Sequence, residues 1–382
     1  MGEAVEVQGH CEPRFASVRD AFAQSFARGL DVGASLAAFL DGAPVVDLWG
    51  GFADAARTRP WQRDTIVNVY SSTKTQAATV VWMLADRGAL DLDAPVAHYW
   101  PEFGRAGKEG VLVRHVLSHT AGVPGWDEPL AVDDLFDRER TVALLAGQAP
   151  WWEPGRESGY HAITQGQILG ELVRRVTGRS LGTFYREEVA GPLGVDFHIG
   201  LPPEHDSRVA EMIPSPGRLG ADLAPESGSV AARVLGNPPM EGGVANRPAW
   251  RRAELPAANG HGNARALARV AGALARGGEI DGHRLLRPGA IERALEEQHY
   301  AADLVLRLPI RWSLGFALVS RELPVSPNPR TLFWGGWGGS LVIVDLDARL
   351  GLAYAMNRME SGTLGDPRGF GLAIELYRAL GA

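Results

Sequence analysis

The chain has 382 residues, 45% hydrophobic and 22% charged, the balance of an ordinary globular protein with ample length for a large core. Its net charge of -7 provides no electrostatic footprint for nucleic acid. Cys11 is the only cysteine, which excludes an intrachain disulfide and a cysteine metal site, and no apolar run approaches the roughly 18–20 residues that cross a bilayer.

Met1 to Glu12 carries Glu3, Glu6 and Glu12 and lacks the basic start and apolar run of a secretory signal, so a cytoplasmic protein is expected. Pro13 to Leu30 places Phe15, Val18, Phe22 and Phe26 at helical spacing. Val32 to Leu40 and Pro44 to Trp49 read as strands around the turn Asp41-Gly42, with Gly50 to Ala53 as a possible third. Ser71 to Arg87 is a largely apolar, hence buried, helix that stops at Gly88. A further helix runs from Ile163 to Thr177, and Pro202 to Pro256 is a long irregular connection rich in proline and glycine. Asn263 to Arg276 and Pro288 to Gln298 read as helices. Trp312 to Ser320, Thr331 to Trp334, Ser340 to Asp345 and Gly351 to Asn357 read as strands, and Phe370 to Leu380 as a closing helix. Strands near both ends with helices between them predict an α+β protein, its antiparallel sheet made by both chain ends around an inserted helical region.

The chemistry concentrates at Ser71-Ser72-Thr73-Lys74, an S-x-x-K motif. A serine hydroxyl is a poor nucleophile until a base takes its proton, and residues i and i+3 share one helix face. Burial and the helix start favour the neutral lysine that can accept that proton, and they leave the Ser71 N–H free for an oxyanion. The alternative for these four residues is a helix cap with an exposed lysine. Lysine is scarce, however: only Lys74 and Lys108 occur beside many arginines. A GC-rich genome accounts for that bias, and a lysine that persists against it is a candidate for chemistry that permanently charged arginine cannot perform.

Further stretches follow in order: Gly88-Ala89-Leu90-Asp91-Leu92-Asp93-Ala94-Pro95, Leu117-Ser118-His119-Thr120-Ala121-Gly122, Pro154-Gly155 with Gly159-Tyr160-His161-Ala162, Gly262 to Ala268, and Trp334-Gly335-Gly336-Trp337-Gly338-Gly339-Ser340. Together with S-x-x-K they resemble the serine β-lactamases, penicillin-binding proteins and related esterases. The likeness is greatest to the esterases with a class C β-lactamase type of fold. It implies a sheet domain from residues 1–75 and 260–382, a mainly helical domain from 76–259, and a site at their interface.

The resemblance also implies roles. Tyr160 faces Ser71 and Lys74, as tyrosinate or sharing a proton, and protonates the leaving alcohol. Trp334-Gly335-Gly336 takes the place of the family's K-T-G or H-T-G strand, and the N–H of Trp337 completes the oxyanion hole. The cation usual at Trp334 is missing, and Ala162 replaces the usual asparagine after the tyrosine. Both changes favour simple esters over β-lactams and peptides. Core packing for Tyr160 and a sheet-edge bulge for Trp334 to Gly336 are the structural alternatives. His161, Trp126 and Trp152 are candidates to line an apolar pocket, against ordinary packing. His115 and His119 read as structural.

The expected protein is therefore a serine carboxylesterase needing no cofactor or metal. Its partner is a small-molecule ester, and it is a monomer or small homo-oligomer. A β-lactamase or peptide hydrolase, an acyltransferase, and an inactive binding module of the same fold are the rivals. No H-E-x-x-H or P-loop occurs.

Overall fold

The computed structural model describes residues 5–381. Of the stretch read above for a secretory signal, residues 1–4 lie outside the described residues. Nine strands form the main sheet: β1 (Gln8–Cys11), β2 (Gly33–Leu40), β3 (Ala43–Gly51), β4 (His299–Ala302), β5 (Pro309–Trp312), β6 (Ala317–Leu318), β7 (Thr331–Gly335), β8 (Leu341–Asp345) and β9 (Leu350–Met356). Their order is β1-β3-β2-β9-β8-β7-β6-β5-β4, antiparallel throughout. The two ends of the chain meet in the β2–β9 ladder, which runs from Leu40 opposite Leu350 to Ala34 opposite Met356.

The longer helices are α1 (Ala16–Ala27), α2 (Thr73–Asp86), α3 (Arg138–Gly147), α4 (Thr164–Thr177), α5 (Ala264–Ala275) and α6 (Pro367–Leu380). Strands β7, β8 and β9 are buried along their whole length, so both faces of the sheet are covered. On one face α5 meets β9 backbone to backbone: a Cβ on Gly351 would lie 2.1 Å from the Gly272 nitrogen. On the other face α6 sets Gly369 against Leu341 and Tyr354. Tyr354 is an odd number of residues from Gly351, and alternate strand residues point to opposite faces. Helix α1 packs against α6.

Helix α2 is buried from Thr73 to Leu84 because it is wedged between the sheet and the helices of the middle of the chain. It packs on α4 on one side. On the other, Trp82 stacks on Phe316 at 5.2 Å between ring centroids and its indole N–H donates to the Leu314 carbonyl at 2.9 Å. That second contact explains one departure from the sequence reading. Trp312 to Ser320 is not one strand, because Gly315, at φ 96°, turns the chain onto α2 between β5 and β6.

Three other expectations change. Gly50 to Ala53 forms no third strand; β3 ends at Gly51, whose φ of 80° turns the chain. Pro288 to Gln298 is no α-helix but a 3-10 stretch over Ala290–Leu295, which buries only Ile291 and Ala294 and begins after left-handed Gly289. Edge strands β1 and β4 were not predicted: β1 is mostly exposed, and β4 alternates only between half-buried and exposed residues. Among the described residues no helix is long and apolar enough to cross a membrane.

Candidate active site

Ser71 lies in a 3-10 turn, Tyr70–Ser72, that runs directly into α2. The chain enters it through Tyr70 at φ 43°, an uncommon conformation for a bulky residue. Several contacts hold it there. The Tyr70 hydroxyl donates to the Gly242 carbonyl, its carbonyl accepts the Thr73 hydroxyl at 2.5 Å, and its ring packs 5.2 Å from that of Trp337. The Ser72 and Ser340 hydroxyls meet at 2.9 Å, and Ser340 donates on to the Val69 carbonyl at 2.7 Å. The start of α2 is thereby tied to the glycine-rich turn after β7.

Lys74 Nζ is 3.4 Å from Ser71 Oγ, 2.7 Å from the Ala162 carbonyl and 2.9 Å from the Ala257 carbonyl. Lys74 is 1% exposed, and burial pushes its amine well below the usual lysine range. A neutral amine has two N–H bonds and one lone pair. Both N–H bonds have carbonyl acceptors, so the lone pair is left for the Ser71 hydroxyl.

Tyr160 is buried, with Lys74 Nζ 4.7 Å from its ring centroid. Burial raises its phenol above the ordinary value, and the neighbouring Ser71 and Trp334 only partly oppose this. The resting group is the phenol; the tyrosinate admitted by the sequence reading is disfavoured. Its hydroxyl makes no hydrogen bond of full geometry among the described residues. The ring sits in an aromatic cage with Trp334 at 5.4 Å, His119 at 5.0 Å and Trp312 at 6.3 Å, the last nearly parallel to it.

His161 is buried and neutral. Its Nδ1 is 2.7 Å from the Gly159 carbonyl, which assigns the proton to that nitrogen, and burial lowers the ring to about 3. Trp152 meets its face edge-on at 6.2 Å and packs on Gly159. Trp126 directs its indole N–H to the Thr141 carbonyl of α3, at 3.0 Å. At the end of β7 Gly335 faces Leu364, whereas in the turn that follows a Cβ on Gly336 would lie 2.2 Å from the Val69 carbonyl and 3.2 Å from the Ser71 nitrogen. The N–H groups of Gly336, Gly338 and Gly339 all donate to carbonyls, as does that of Ser72; those of Ser71 and Trp337 donate to none among the described residues.

The model of the beta-lactamase family matches residues 21–373. The chain belongs to the beta-lactamase family. It is 39% identical over 365 residues to the "Esterase/beta-lactamase LipL" of Mycobacterium tuberculosis, which covers 93% of this chain and 84% of that protein. Among solved structures, a family VIII carboxylesterase is 48% identical with a TM-score of 0.92, covering 98% of this chain and 100% of the other. A penicillin-binding protein homologue from Caulobacter crescentus is 39% identical with a TM-score of 0.89, again covering 98% and 100%.

In this beta-lactamase family member several residues around Ser71 escaped the sequence reading. Tyr70 precedes the motif but carries no motif of its own. Trp312 was read only as a strand start, and Asp303 lay in a stretch assigned no element. Both reach Tyr160 through contacts more than 140 residues distant in sequence. No local pattern announces such contacts.

Proposed function

We propose that the protein hydrolyses small, uncharged carboxylic esters through an acyl-enzyme on Ser71. The observation that carries this reading is the Lys74 amine, buried beside Ser71 Oγ with its two N–H bonds occupied by the Ala162 and Ala257 carbonyls. On this reading Ser71 Oγ attacks the ester carbonyl carbon as its proton passes to Lys74. The oxyanion is held by the free N–H groups of Ser71 and Trp337. Collapse expels the alkoxide, which takes the Tyr160 phenol proton; the proton on Lys74 restores the phenol. Water then attacks the acyl group, and the same groups act in reverse.

Trp334 supports the choice of substrate. It is buried among Tyr160, Trp312 and His119. An aromatic wall there offers no charge to a substrate carboxylate. A β-lactam reading is the second one, favoured by the double name of the Mycobacterium tuberculosis relative.

Short nitrophenyl esters and a chromogenic cephalosporin separate the two. Ester turnover is expected, with little cephalosporin turnover, and Ser71 should displace fluoride from a fluorophosphonate and carry the phosphonyl group in the peptide map. Cephalosporin turnover as fast as ester turnover would remove Trp334 as a determinant of substrate class. An adduct on another serine would remove Ser71 as the nucleophile.

Gly336→Ala tests the turn beside Ser71. The added Cβ would also lie 2.4 Å from Ser340 Oγ, so the turn must move away from α2. A misplaced oxyanion N–H is expected to lower kcat by about 10- to 100-fold, with KM changed much less. Steady-state kinetics on a nitrophenyl ester reads both.

A further inference from the structure

We infer that Asp303 is a positioning residue for Tyr160, a hairpin carboxylate that fixes both the main chain of Tyr160 and one wall of its aromatic cage. The inference rests on the role proposed for Tyr160 above. Asp303 lies in the β4–β5 hairpin, at the far edge of the sheet from β1. Tyr160 lies in the irregular segment between α3 and α4, where no regular ladder fixes the backbone.

Three consecutive N–H groups of that segment go to acceptors on other parts of the chain. Gly159 donates to the His119 carbonyl at 3.0 Å, Tyr160 to Asp303 Oδ1 at 3.0 Å, and His161 to His119 Nδ1 at 3.0 Å. The Leu304 N–H, next to Asp303, donates back to the Ser158 carbonyl at 2.8 Å. The sheet edge and the Tyr160 segment are thus stitched together beside the phenol.

The ordinary role of such an aspartate is to close its own turn, and Asp303 does this. Its Oδ1 also accepts the N–H groups of Val305 and Leu306, at 2.9 and 3.0 Å. Two bonds exceed that role. One is the Tyr160 N–H, 143 residues away in sequence. The other is the Trp312 indole N–H, 3.3 Å from Oδ2. Trp312 is the ring that lies within 5° of parallel to Tyr160, and it also packs on His119 at 4.3 Å and on Trp334 at 4.8 Å. One side chain, 1% exposed, therefore holds Tyr160 from behind through its amide and from the side through Trp312. Among the described residues no lysine or arginine donates to it. It spends its acceptor capacity on these N–H groups.

Asp303→Asn keeps the shape and removes one acceptor, because the amide NH2 would confront the Trp312 N–H or the backbone N–H groups. Expected for a nitrophenyl ester is a fall in kcat of about 10- to 100-fold, a KM within about twofold of native, and an unfolding midpoint that still leaves the protein folded at the assay temperature. The deciding measurement is the cycle with Tyr160→Phe. If Asp303 acts through the phenol, Asp303→Asn costs little further activity once the phenol is gone. Equal fold-losses in the two backgrounds, or an unchanged kcat in Asp303→Asn, would overturn the inference. If Asp303→Asn does not fold, Trp312→Phe carries the same cycle, since it deletes the donor on Oδ2 and leaves the turn closed. A Tyr160→Phe protein as active as native would instead sink the role of Tyr160 itself, and turnover surviving in Ser71→Ala would sink the acyl-enzyme reading.

Discussion

Ester turnover by a Lys74→Met protein is expected to fall by about a thousandfold or more, with binding of ester little changed. Methionine is close to lysine in length and unbranched, so the buried channel along α2 stays filled. What is lost is the lone pair facing Ser71 Oγ and the donors to the Ala162 and Ala257 carbonyls. The pH dependence separates a base from a merely structural lysine. Burial lowers the amine, so the native enzyme loses activity only as the pH falls far enough to protonate Lys74. The acid limb should lie well below the ordinary lysine range and rise to a plateau on its alkaline side. In Lys74→Met that limb should vanish, leaving a residual rate that increases with hydroxide. Profiles of kcat/KM for the two proteins make the comparison. A variant that kept the native acid limb would mean that another group takes the serine proton.

Lysine scarcity alone did not identify this residue. Lys108, the other lysine, is just as buried. Its Nζ donates to the carbonyls of Arg105, Ala146 and Gln148, and burial lowers it to about 8. It ties the loop before Leu112 to the end of α3 and has no serine beside it. Scarcity marked both lysines as unusual, and only the spacing from Ser71 told them apart. The same distinction runs through the fold. Helix α2, the β2–β3 hairpin and the strands from Thr331 onward announce themselves because their signals lie within a dozen residues. The 3-10 stretch at Ala290–Leu295, the turn at Gly315 and the Asp303 contact with Tyr160 arise from what each segment packs against. The W-G-G-W-G-G run lies between these cases. Glycine lets a backbone approach closely, but only the three-dimensional contacts separate Gly336, which faces Ser71, from Gly335, which faces Leu364.

The largest expected loss of stability comes from behind that same turn. Arg368 is 4% exposed at its side chain, between Asp31 at 0% and Asp366 at 3%. Its Nη1 donates to Asp31 at 2.9 Å and to the carbonyls of Leu30 and Arg358; its Nη2 donates to Asp366 at 2.5 Å and to the Gly338 carbonyl at 2.7 Å. Arg368→Met leaves two buried carboxylates without their cation, which is expected to cost about 3–5 kcal/mol and lower the unfolding midpoint by roughly 4–6 °C. The pH dependence has a definite sign. Burial already raises the Asp31 carboxyl, and Arg368 opposes that rise. Without the arginine the folded-state value climbs further above the unfolded one. The folded protein then binds more protons than the unfolded chain, so stability falls as pH rises. The variant should lie nearest to native in mild acid and furthest from it at neutral pH, as thermal unfolding across that range would read. Gly338 directly follows Trp337, so kcat should fall as well, even where the variant is fully folded. A loss of stability independent of pH would mean that packing around the guanidinium, rather than its charge, holds this end of the sheet.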